Sequence, residues 1–311
     1  MYNTDISILI PSFNRLWSLP KTIESCRGNR CNVELIIIDD GSTDGTSDWL
    51  RRQQNIVVIS QSNFGKCWAV NKGFEIARGK YIRFLDSDDL LSNLANDEQF
   101  ELAERTNADV VVSGYKLIDE NNNFTKIQEW VPCDDFIAQQ LGECDSSHYS
   151  AYLFKREFIR DVPHRPDFAF RDDRLFALEV ALKSPIVAVH RGAALLHRIK
   201  HLDRLQVTDG LKQCTQNWQH LNIYKRVLAE LERTDHLTQR RKNAACTVLW
   251  PLAHWIAIDH PGEAAAVADW IYQLNPDFQP PEKGLLGSLY KKFGFRNTER
   301  LLRLRRRLLL R

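Results

Sequence analysis

Short apolar runs alternate with helical patterns through the first third of the chain. The apolar runs predict strands over 5–10, 33–38, 56–59 and 81–85. Helices are predicted between and after them over 17–26, 46–52, 66–77 and 91–106. Strands that alternate with helices in this way are typical of βαβ units, whose strands form a parallel sheet. We therefore predict an α/β fold with a mostly parallel sheet flanked by helices.

The pattern changes from mixed to purely helical along the rest of the chain. Further strands are predicted over 108–115, 124–131, 186–189 and 193–197. Helices are predicted over 211–234, 240–259 and 263–275, before a proline-rich linker at 276–281. We therefore divide the chain into an α/β domain over 1–206, a helical extension over 207–282 and a tail over 283–311.

Polar residues follow each of the first four predicted strands. They lie at Pro11–Arg15, Asp39–Asp40, Asn63–Lys66 and Asp86–Asp89. Ligands of open α/β sheets bind beyond the carboxyl ends of the strands. We therefore expect the four segments to meet at one edge of the sheet.

Three carboxylates, Asp86, Asp88 and Asp89, come directly after the fourth apolar run. Such a cluster is costly at the end of a buried strand unless positive charge lies against it. A hard divalent cation, which prefers oxygen ligands, would supply that charge. A solvated turn that caps the next helix explains the same residues, because Asp and Ser favour N-cap positions. The cluster alone leaves both interpretations open.

Composition indicates an ordinary soluble protein, with 43% hydrophobic and 26% charged residues. The N-terminus, with Asn3 and Asp5, lacks the basic and long apolar regions of a signal peptide. No apolar run reaches the roughly 18 residues that a membrane span needs. The seven cysteines are scattered without a Cys-x-x-Cys pair, which favours reduced thiols over disulfides or a zinc site. We therefore expect a cytoplasmic protein.

Charge is distributed unevenly along the chain. Nine of the 42 Lys and Arg residues lie between Ser288 and Arg311 with one acidic residue, so the remainder carries a net charge of −6. As a helix, 301–311 places five leucines on one side and most arginines on the other. Such a helix suits an anionic membrane surface, although packing on the acidic body explains it too. We favour peripheral membrane association.

The motifs in the first two thirds of the chain resemble, in order and spacing, those of family 2 glycosyltransferases with the GT-A fold. The resembling segments are Ser7–Arg15, Ile38–Asp44, Asn63–Lys66, Asn71–Gly73, Phe84–Asp89 (with its Asp-x-Asp run) and Asp172–Asp173. The resemblance covers about residues 5–200. It implies a Rossmann-like GT-A domain that binds a nucleotide sugar, here the segment 1–206.

The resemblance also implies roles for individual residues. Asp88 would ligate Mn²⁺ or Mg²⁺, Asp173 would be the general base, and His201 is a candidate phosphate or metal contact. Asp40 would accept a hydrogen bond from uracil, which favours a UDP-sugar donor. The implied nucleotide contacts are Pro11, Phe13, Arg15, Asp40, Lys66, Asp86 and Ser87.

Two positions depart from the family pattern. Val70 stands where many members carry an arginine that contacts the nucleotide, so Lys66 or Lys72 is the candidate source of positive charge. Asp172-Asp173 stands where members usually carry Glu-Asp. The sequence leaves open which of the two is the base, and we favour Asp173.

We therefore expect an inverting, metal-dependent glycosyltransferase that uses a UDP-sugar. Its acceptor would be a glycan or lipid-linked hydroxyl in surface polysaccharide biosynthesis, and we expect no nucleic-acid partner. The alternative is a non-catalytic nucleotide-sugar-binding partner of another transferase. A sugar-phosphate nucleotidyltransferase is disfavoured, because Pro11–Asn14 stands where its glycine-rich loop should follow the first strand.

Overall fold

A computed structural model of the protein describes residues 4–199 and 210–309. Two compact units account for them. The first unit holds residues 4–132 and 145–199, and the second holds 133–144 and 210–309. The segment 133–144 belongs to the second unit although it lies within the predicted α/β domain.

The secondary structure follows the predicted alternation. The strands are β1 (Ile6–Ser12), β2 (Val33–Asp39), β3 (Val57–Ser60), β4 (Tyr81–Phe84), β5 (Leu90–Leu91), β6 (Val110–Ile118), β7 (Phe124–Gln128), β8 (Leu153–Lys155) and β9 (Val187–Arg198). The helices are α1 (Leu19–Ser25), α2 (Thr46–Leu50), α3 (Lys66–Ile76), α4 (Ala95–Thr106), α5 (Phe136–Leu141), α6 (Arg156–Ile159), α7 (Asp172–Leu182), α8 (Gly210–Arg233), α9 (Gln239–Ala257), α10 (Pro261–Leu274) and α11 (Gly284–Leu309).

In the first unit the described strands form one sheet with the order β3-β2-β1-β4-β8-β6-β9-β5, and β7 pairs with β6. Strands β3, β2, β1 and β4 are all parallel, which confirms the predicted α/β sheet. Beyond β4, β8 pairs antiparallel with both β4 and β6, whereas β9 runs parallel to β6. The two late strands predicted from the sequence are one strand, β9, whose register against β6 shifts around Gly114.

The core of this sheet is apolar on both faces. Ile8, Leu9 and Ile10 of β1 are fully buried, as strands covered on both sides should be. Helix α3 packs so closely on the sheet that a Cβ at Gly73 would lie 2.6 Å from Cδ1 of Ile38. This packing fixes the start of α3 at the carboxyl edge of the sheet.

The second unit is helical, as predicted. Asp135 caps α5, accepting a hydrogen bond from the Ala138 amide at 2.9 Å, and the Leu141 carbonyl accepts one from the Tyr224 hydroxyl at 3.0 Å. These bonds hold α5 within this unit. Pro251 lies inside α9.

Helix α11 contains one non-helical residue, Gly294, with φ 71°. After it, Glu299 is buried and accepts a hydrogen bond from the Tyr290 hydroxyl at 2.6 Å. Leu301 and Leu304 are exposed, at 49% and 58%. The tail therefore both packs within its unit and exposes leucines, while the side chains from Arg305 onward lie outside the described part. In the ranges that the structure describes, each helix is either too short or too polar to span a bilayer.

Candidate active site

The loops that follow β1 and β2 are bonded to each other at the carboxyl edge of the sheet. The Asn14 amide donates to the Ser42 hydroxyl at 2.9 Å, and the Thr43 amide donates to the Asn14 side-chain oxygen at 2.7 Å. Asn14 adopts φ 52°, a left-handed conformation that Asn tolerates well. The first two predicted segments therefore meet.

Asp40 binds the third segment to the second. Its carboxylate is buried and accepts hydrogen bonds from the Gln61 side chain at 2.7 Å, the Phe64 amide at 3.0 Å and the Gly65 amide at 2.8 Å. Asp40 thus holds the loop before α3 in place. The uracil contact implied for it would have to share a carboxylate that already has three donors.

The residues implied to border the nucleotide lie beside this junction. Pro11 is buried within β1, whereas Phe13 is 41% exposed just beyond the strand. The Arg15 guanidinium turns back on its own loop, donating to the carbonyls of Phe13 and Asn14 at 3.3 and 3.2 Å. An exposed ring at the end of a central strand is available to a planar base.

Lys66, at the start of α3, joins the third segment to the fourth. Its ammonium nitrogen lies 2.7 Å from a carboxylate oxygen of Asp86 and 5.4 Å from the centre of the Tyr149 ring. Burial opposes its charge, but Asp86, Tyr149, Asp172 and Asp173 outweigh burial and raise the pKa of Lys66 well above its usual value. Burial likewise opposes ionisation of Asp86, yet Lys66 and His148 hold the pKa of Asp86 below its ordinary range. Both groups are therefore charged at neutral pH.

Lys72 was the other candidate to replace the arginine that is absent at Val70. It lies on the exposed side of α3, whereas Val70 is buried. Of the two lysines, the structure brings Lys66 to Asp86 and leaves Lys72 on the helix surface.

The turn that carries the aspartates is held through its backbone. The Ser87 carbonyl accepts hydrogen bonds from the hydroxyls of Ser18 and Thr22 at 2.8 and 3.0 Å. The Asp88 carbonyl accepts one from Nε of Arg198 at 2.9 Å. Ser87 and Asp88 are buried, at 7% and 8% exposure. The turn is thus fixed without using the side chain of Asp88 in any of these bonds.

Asp89 and two histidines lie close enough to share an ion. Nδ1 of His197 is 2.8 Å from Oδ2 of Asp89, and His148 stacks on His197 with ring centres 4.5 Å apart. Ligand atoms of the three residues lie within 4.8 Å of one another. Burial, followed by the charge of His197, lowers the pKa of His148, which favours the neutral imidazole that can ligate metal. His201 lies outside the described residues.

The two carboxylates at the start of α7 differ in environment. Asp172 is buried, and its Oδ2 lies 2.8 Å from Nδ1 of His164. Burial tends to raise the pKa of Asp172, but the hydrogen bond from His164 and the charge of Lys66 bring it below the usual value. Asp173 is half-buried, and its Oδ1 accepts a hydrogen bond from the Arg174 amide at 2.7 Å. Asp173 is the more accessible of the two.

Sequence reasoning missed Arg83, which lies in β4 just before the aspartates and is fully buried. Its guanidinium donates to Asn96 at 2.9 Å, to Gln99, and to the carbonyl of Ser150 at 3.2 Å. Burial lowers the pKa of Arg83 to about 10. These bonds anchor the segment that carries His148 and Tyr149. A charged residue inside an otherwise apolar run was the signal for this role.

His148 and His164 were also missed, because isolated histidines carry no local pattern: His148 lies 59 positions after Asp89, and His164 lies 8 positions before Asp172. Their proximity to Asp89 and Asp172 arises only from the tertiary fold.

Comparison with known proteins places these features in a family. The model of the family described as glycosyl transferase family 2 matches residues 7–163, just over half of the chain. The glycosyltransferase GlyG of Streptococcus pneumoniae is 29% identical over 214 residues, which cover 62% of this chain and 70% of GlyG.

Two Bacillus subtilis proteins are also similar. The uncharacterized glycosyltransferase EpsJ is 29% identical over 181 residues, 55% of this chain and 53% of EpsJ. The putative teichuronic acid biosynthesis glycosyltransferase TuaG is 33% identical over 138 residues, 42% of this chain and 52% of TuaG. The chain thus spans about half the length of these two relatives.

Among solved structures, residues 1–349 of Staphylococcus aureus TarS in complex with UDP-GlcNAc align with a TM-score of 0.57. The alignment covers 97% of this chain and 92% of that one at 15% identity. This likeness shows a shared fold and confirms the GT-A architecture expected from the motifs. Together with the family match over the strands, loops and aspartates described above, it leads to one conclusion. The chain belongs to glycosyl transferase family 2.

Proposed function

We propose that this protein transfers a sugar from a UDP-sugar to an acceptor hydroxyl, with inversion at the anomeric carbon, during assembly of a cell-surface polysaccharide. The observation that carries the proposal is that the loops after the first four parallel strands contact one another. Asp40 is bonded to the loop before α3, Lys66 pairs with Asp86, and the turn at Asp88 is held by Arg198. The α7 carboxylates act on the same site, since they contribute to the raised pKa of Lys66. The names of TuaG and GlyG support the reaction class.

The donor is proposed to lie along this junction. Phe13 would stack on the base, Pro11 and Arg15 would border it, and Asp40 would offer its remaining lone pair to the uracil ring. Asp86 and Ser87 would meet the ribose and phosphates beside Lys66. TarS, which shares the fold, has been solved in complex with UDP-GlcNAc and with UDP, which supports a uridine nucleotide.

The residues fit a divalent cation. Asp88 supplies a buried carboxylate, and the cluster of Asp89, His148 and His197 surrounds the same turn with further oxygen and nitrogen donors. Carboxylates with phosphate oxygens suit Mg²⁺ and Mn²⁺, and imidazoles suit transition metals better. We propose that Asp88 holds Mn²⁺ or Mg²⁺ against the diphosphate. When bound, the ion would offset the negative charge that develops on the leaving diphosphate.

Asp173 is proposed as the general base. As the acceptor oxygen bonds to the anomeric carbon and the bond to the diphosphate breaks, the hydroxyl proton passes to the Asp173 carboxylate. Attack from the side opposite the leaving group inverts the anomeric configuration. Asp172 is committed to His164 and buried, so we assign it the role of positioning the start of α7.

The basic tail is proposed to bring the enzyme to the cytosolic face of a membrane, where a lipid-linked acceptor would be presented. Exposed Leu301 and Leu304 beside the arginines of α11 support this. If a chain ending at Gly287 binds anionic vesicles as tightly as the full chain, the tail has another role. The division into domains at 206 and 282 remains part of the same proposal.

A panel of UDP-sugars with Mn²⁺, scored for slow donor hydrolysis and for UDP affinity, tests the function. Asp88→Ala should weaken UDP binding at least about tenfold, because the cation proposed to hold the diphosphate loses its carboxylate ligand. Asp173→Ala should bind UDP normally and fail in transfer. Asp48→Ala, at an exposed position in α2, is the control.

Donor binding without hydrolysis or transfer for every sugar would favour the alternative, a non-catalytic nucleotide-sugar-binding partner. Full transfer activity of Asp173→Ala would move the base elsewhere.

A further inference from the structure

A groove of about 530 Å³ runs between α3 and the segment 160–164 in the first unit. Its volume is within the range of small-molecule sites. We call it the α3 groove. Its most prominent lining residues are Phe64, Trp68, Lys72, Glu75, Arg160 and His164.

Helix α3 presents one face to this groove. Trp68, Lys72 and Glu75 follow the i, i+4, i+7 spacing of one helical side. Ala69 and Gly73, on the other side, are buried against the sheet. Trp68, Lys72 and Glu75 therefore lie on the side of α3 that faces away from the sheet.

Two large aromatic side chains are exposed there. Phe64 is 66% exposed and Trp68 is 56% exposed. Exposed aromatic surface concentrated in a groove indicates a binding site rather than chance exposure. Aromatic faces offer flat apolar surface that can stack on a ligand.

The polar groups of the groove carry both signs of charge. Lys72 and Glu75 are exposed on α3, and Arg160 is paired with Glu157 at 2.6 Å. Mixed charge does not favour a strongly anionic or cationic ligand. Aromatic rings beside amide, carboxylate and amino groups suit a ligand with apolar C–H faces and many hydroxyls, which is the chemistry of a saccharide.

Hydrogen bonds link the lining of the groove to the candidate active site at two points. At one end, the side chain of Gln61 donates to Asp40. Along its inner wall, the side-chain NH2 of Asn71 donates to the His164 carbonyl at 2.7 Å, and its side-chain oxygen accepts from the His164 amide at 2.9 Å. His164 in turn contacts Asp172, the neighbour of the proposed base. The Phe64 amide, at the start of the groove, also donates to Asp40, so the groove lies next to the candidate active site on the side of α3.

We propose that the α3 groove binds the saccharide chain of the acceptor, with Trp68 and Phe64 as its stacking platform. The inference rests on the proposed glycosyl transfer and adds the location of the acceptor's extended part. A change at Trp68 should thus alter acceptor affinity and leave UDP affinity unchanged.

The eight tryptophans allow a direct test by ¹⁹F NMR of the full chain labelled with 5-fluorotryptophan. The variant Trp68→Phe identifies the Trp68 line, and Trp255→Phe identifies the Trp255 line. Trp255 serves as the control, because it is 47% exposed but lies in α9 of the other unit. The probes are chitohexaose, cellohexaose and maltohexaose, and separately UDP with Mn²⁺. We expect at least one hexasaccharide to shift the Trp68 line while the Trp255 line stays in place.

Trp68→Ala should weaken binding of that hexasaccharide by about tenfold, the scale of one lost aromatic contact, and Trp255→Ala should not change it. The absence of any Trp68 shift with all three hexasaccharides overturns the proposal. So does a Trp68 shift caused by UDP, which would assign the groove to the donor. A Trp68 shift that depends on protein concentration alone would assign it to a second copy of the chain. UDP binding and donor hydrolysis are scored separately, so failure of the groove and failure of the proposed function remain distinct.

Discussion

The Lys66–Asp86 pair should contribute more to stability than an ordinary surface ion pair. At 2.7 Å the attraction is about 6 kcal/mol for an effective dielectric constant of 20, before the cost of desolvation is subtracted. Both side chains are 24% exposed, between the fully buried and the surface case. Removing one partner of a buried ion pair costs about 3–5 kcal/mol, whereas a surface ion pair contributes about 0–1 kcal/mol. We therefore expect Lys66→Met to lower the free energy of unfolding by an intermediate amount, about 2 kcal/mol.

The effect should depend on pH in a defined direction. The pKa of Asp86 is depressed in the folded state, so its contribution is present above the unfolded value of about 4 and is lost only as pH falls through the folded pKa. The pKa of Lys66 is raised, so its contribution is present below about 10 and is lost as pH rises through the folded value. The difference between wild type and Lys66→Met should therefore be constant from about pH 7 to pH 9. It should shrink at acid pH, because Asp86, left without Lys66, has a higher pKa in the variant and takes up a proton.

Urea denaturation followed through the 5-fluorotryptophan lines of the first unit measures this difference. Lys80→Met is the matched control, because Lys80 pairs with Glu104 at 2.6 Å but both side chains are more exposed, at 33% and 39%. Lys80→Met should lower the free energy of unfolding by less than about 1 kcal/mol. Equal costs for the two variants, or a Lys66→Met effect that is absent at pH 7, would refute the reasoning.

Three further predictions concern the same site. Gly41→Ala should lower the free energy of unfolding by about 2 kcal/mol and weaken UDP binding, because φ of Gly41 is +81° and a Cβ would lie 2.9 Å from the Asn63 amide. The control in urea denaturation is Gly28→Ala, since Gly28 has a similar φ of +76° but open space around its Cβ position. His164→Phe should raise the pKa of Asp172 by removing its hydrogen-bond donor, which carboxyl ¹³C NMR titration would detect; an unchanged pKa would contradict this. Chelation of divalent ions with EDTA should weaken UDP binding at least about tenfold in calorimetry, and unaltered affinity would argue against a metal at Asp88.

The sequence predicted the parallel half of the sheet because its signals are local. Apolar runs such as Ile8–Ile10 are buried on both faces. Helix α3 begins at Lys66, directly after Gly65 of the same motif. The same reasoning placed the polar segments at one edge, where Asn14, Asp40 and Lys66 now make contacts between them.

The missed features depend on contacts between distant parts of the chain. Arg83 reaches the segment around Ser150, and His164 reaches Asn71 across 93 positions. The membership of 133–144 in the second unit also arises from tertiary packing, through Tyr224. Periodicity reports which face of an element is buried, but it does not report which partner covers that face.

The central claim is that the strand ends form one pocket for a uridine diphosphate and a divalent cation. The most direct measurement is a crystal structure with UDP and Mn²⁺, with anomalous scattering recorded to locate manganese. The account predicts an anomalous peak within ligand distance of the Asp88 carboxylate, with the base beside Phe13 and Asp40. A peak and nucleotide density away from both Asp40 and Asp88 would contradict it.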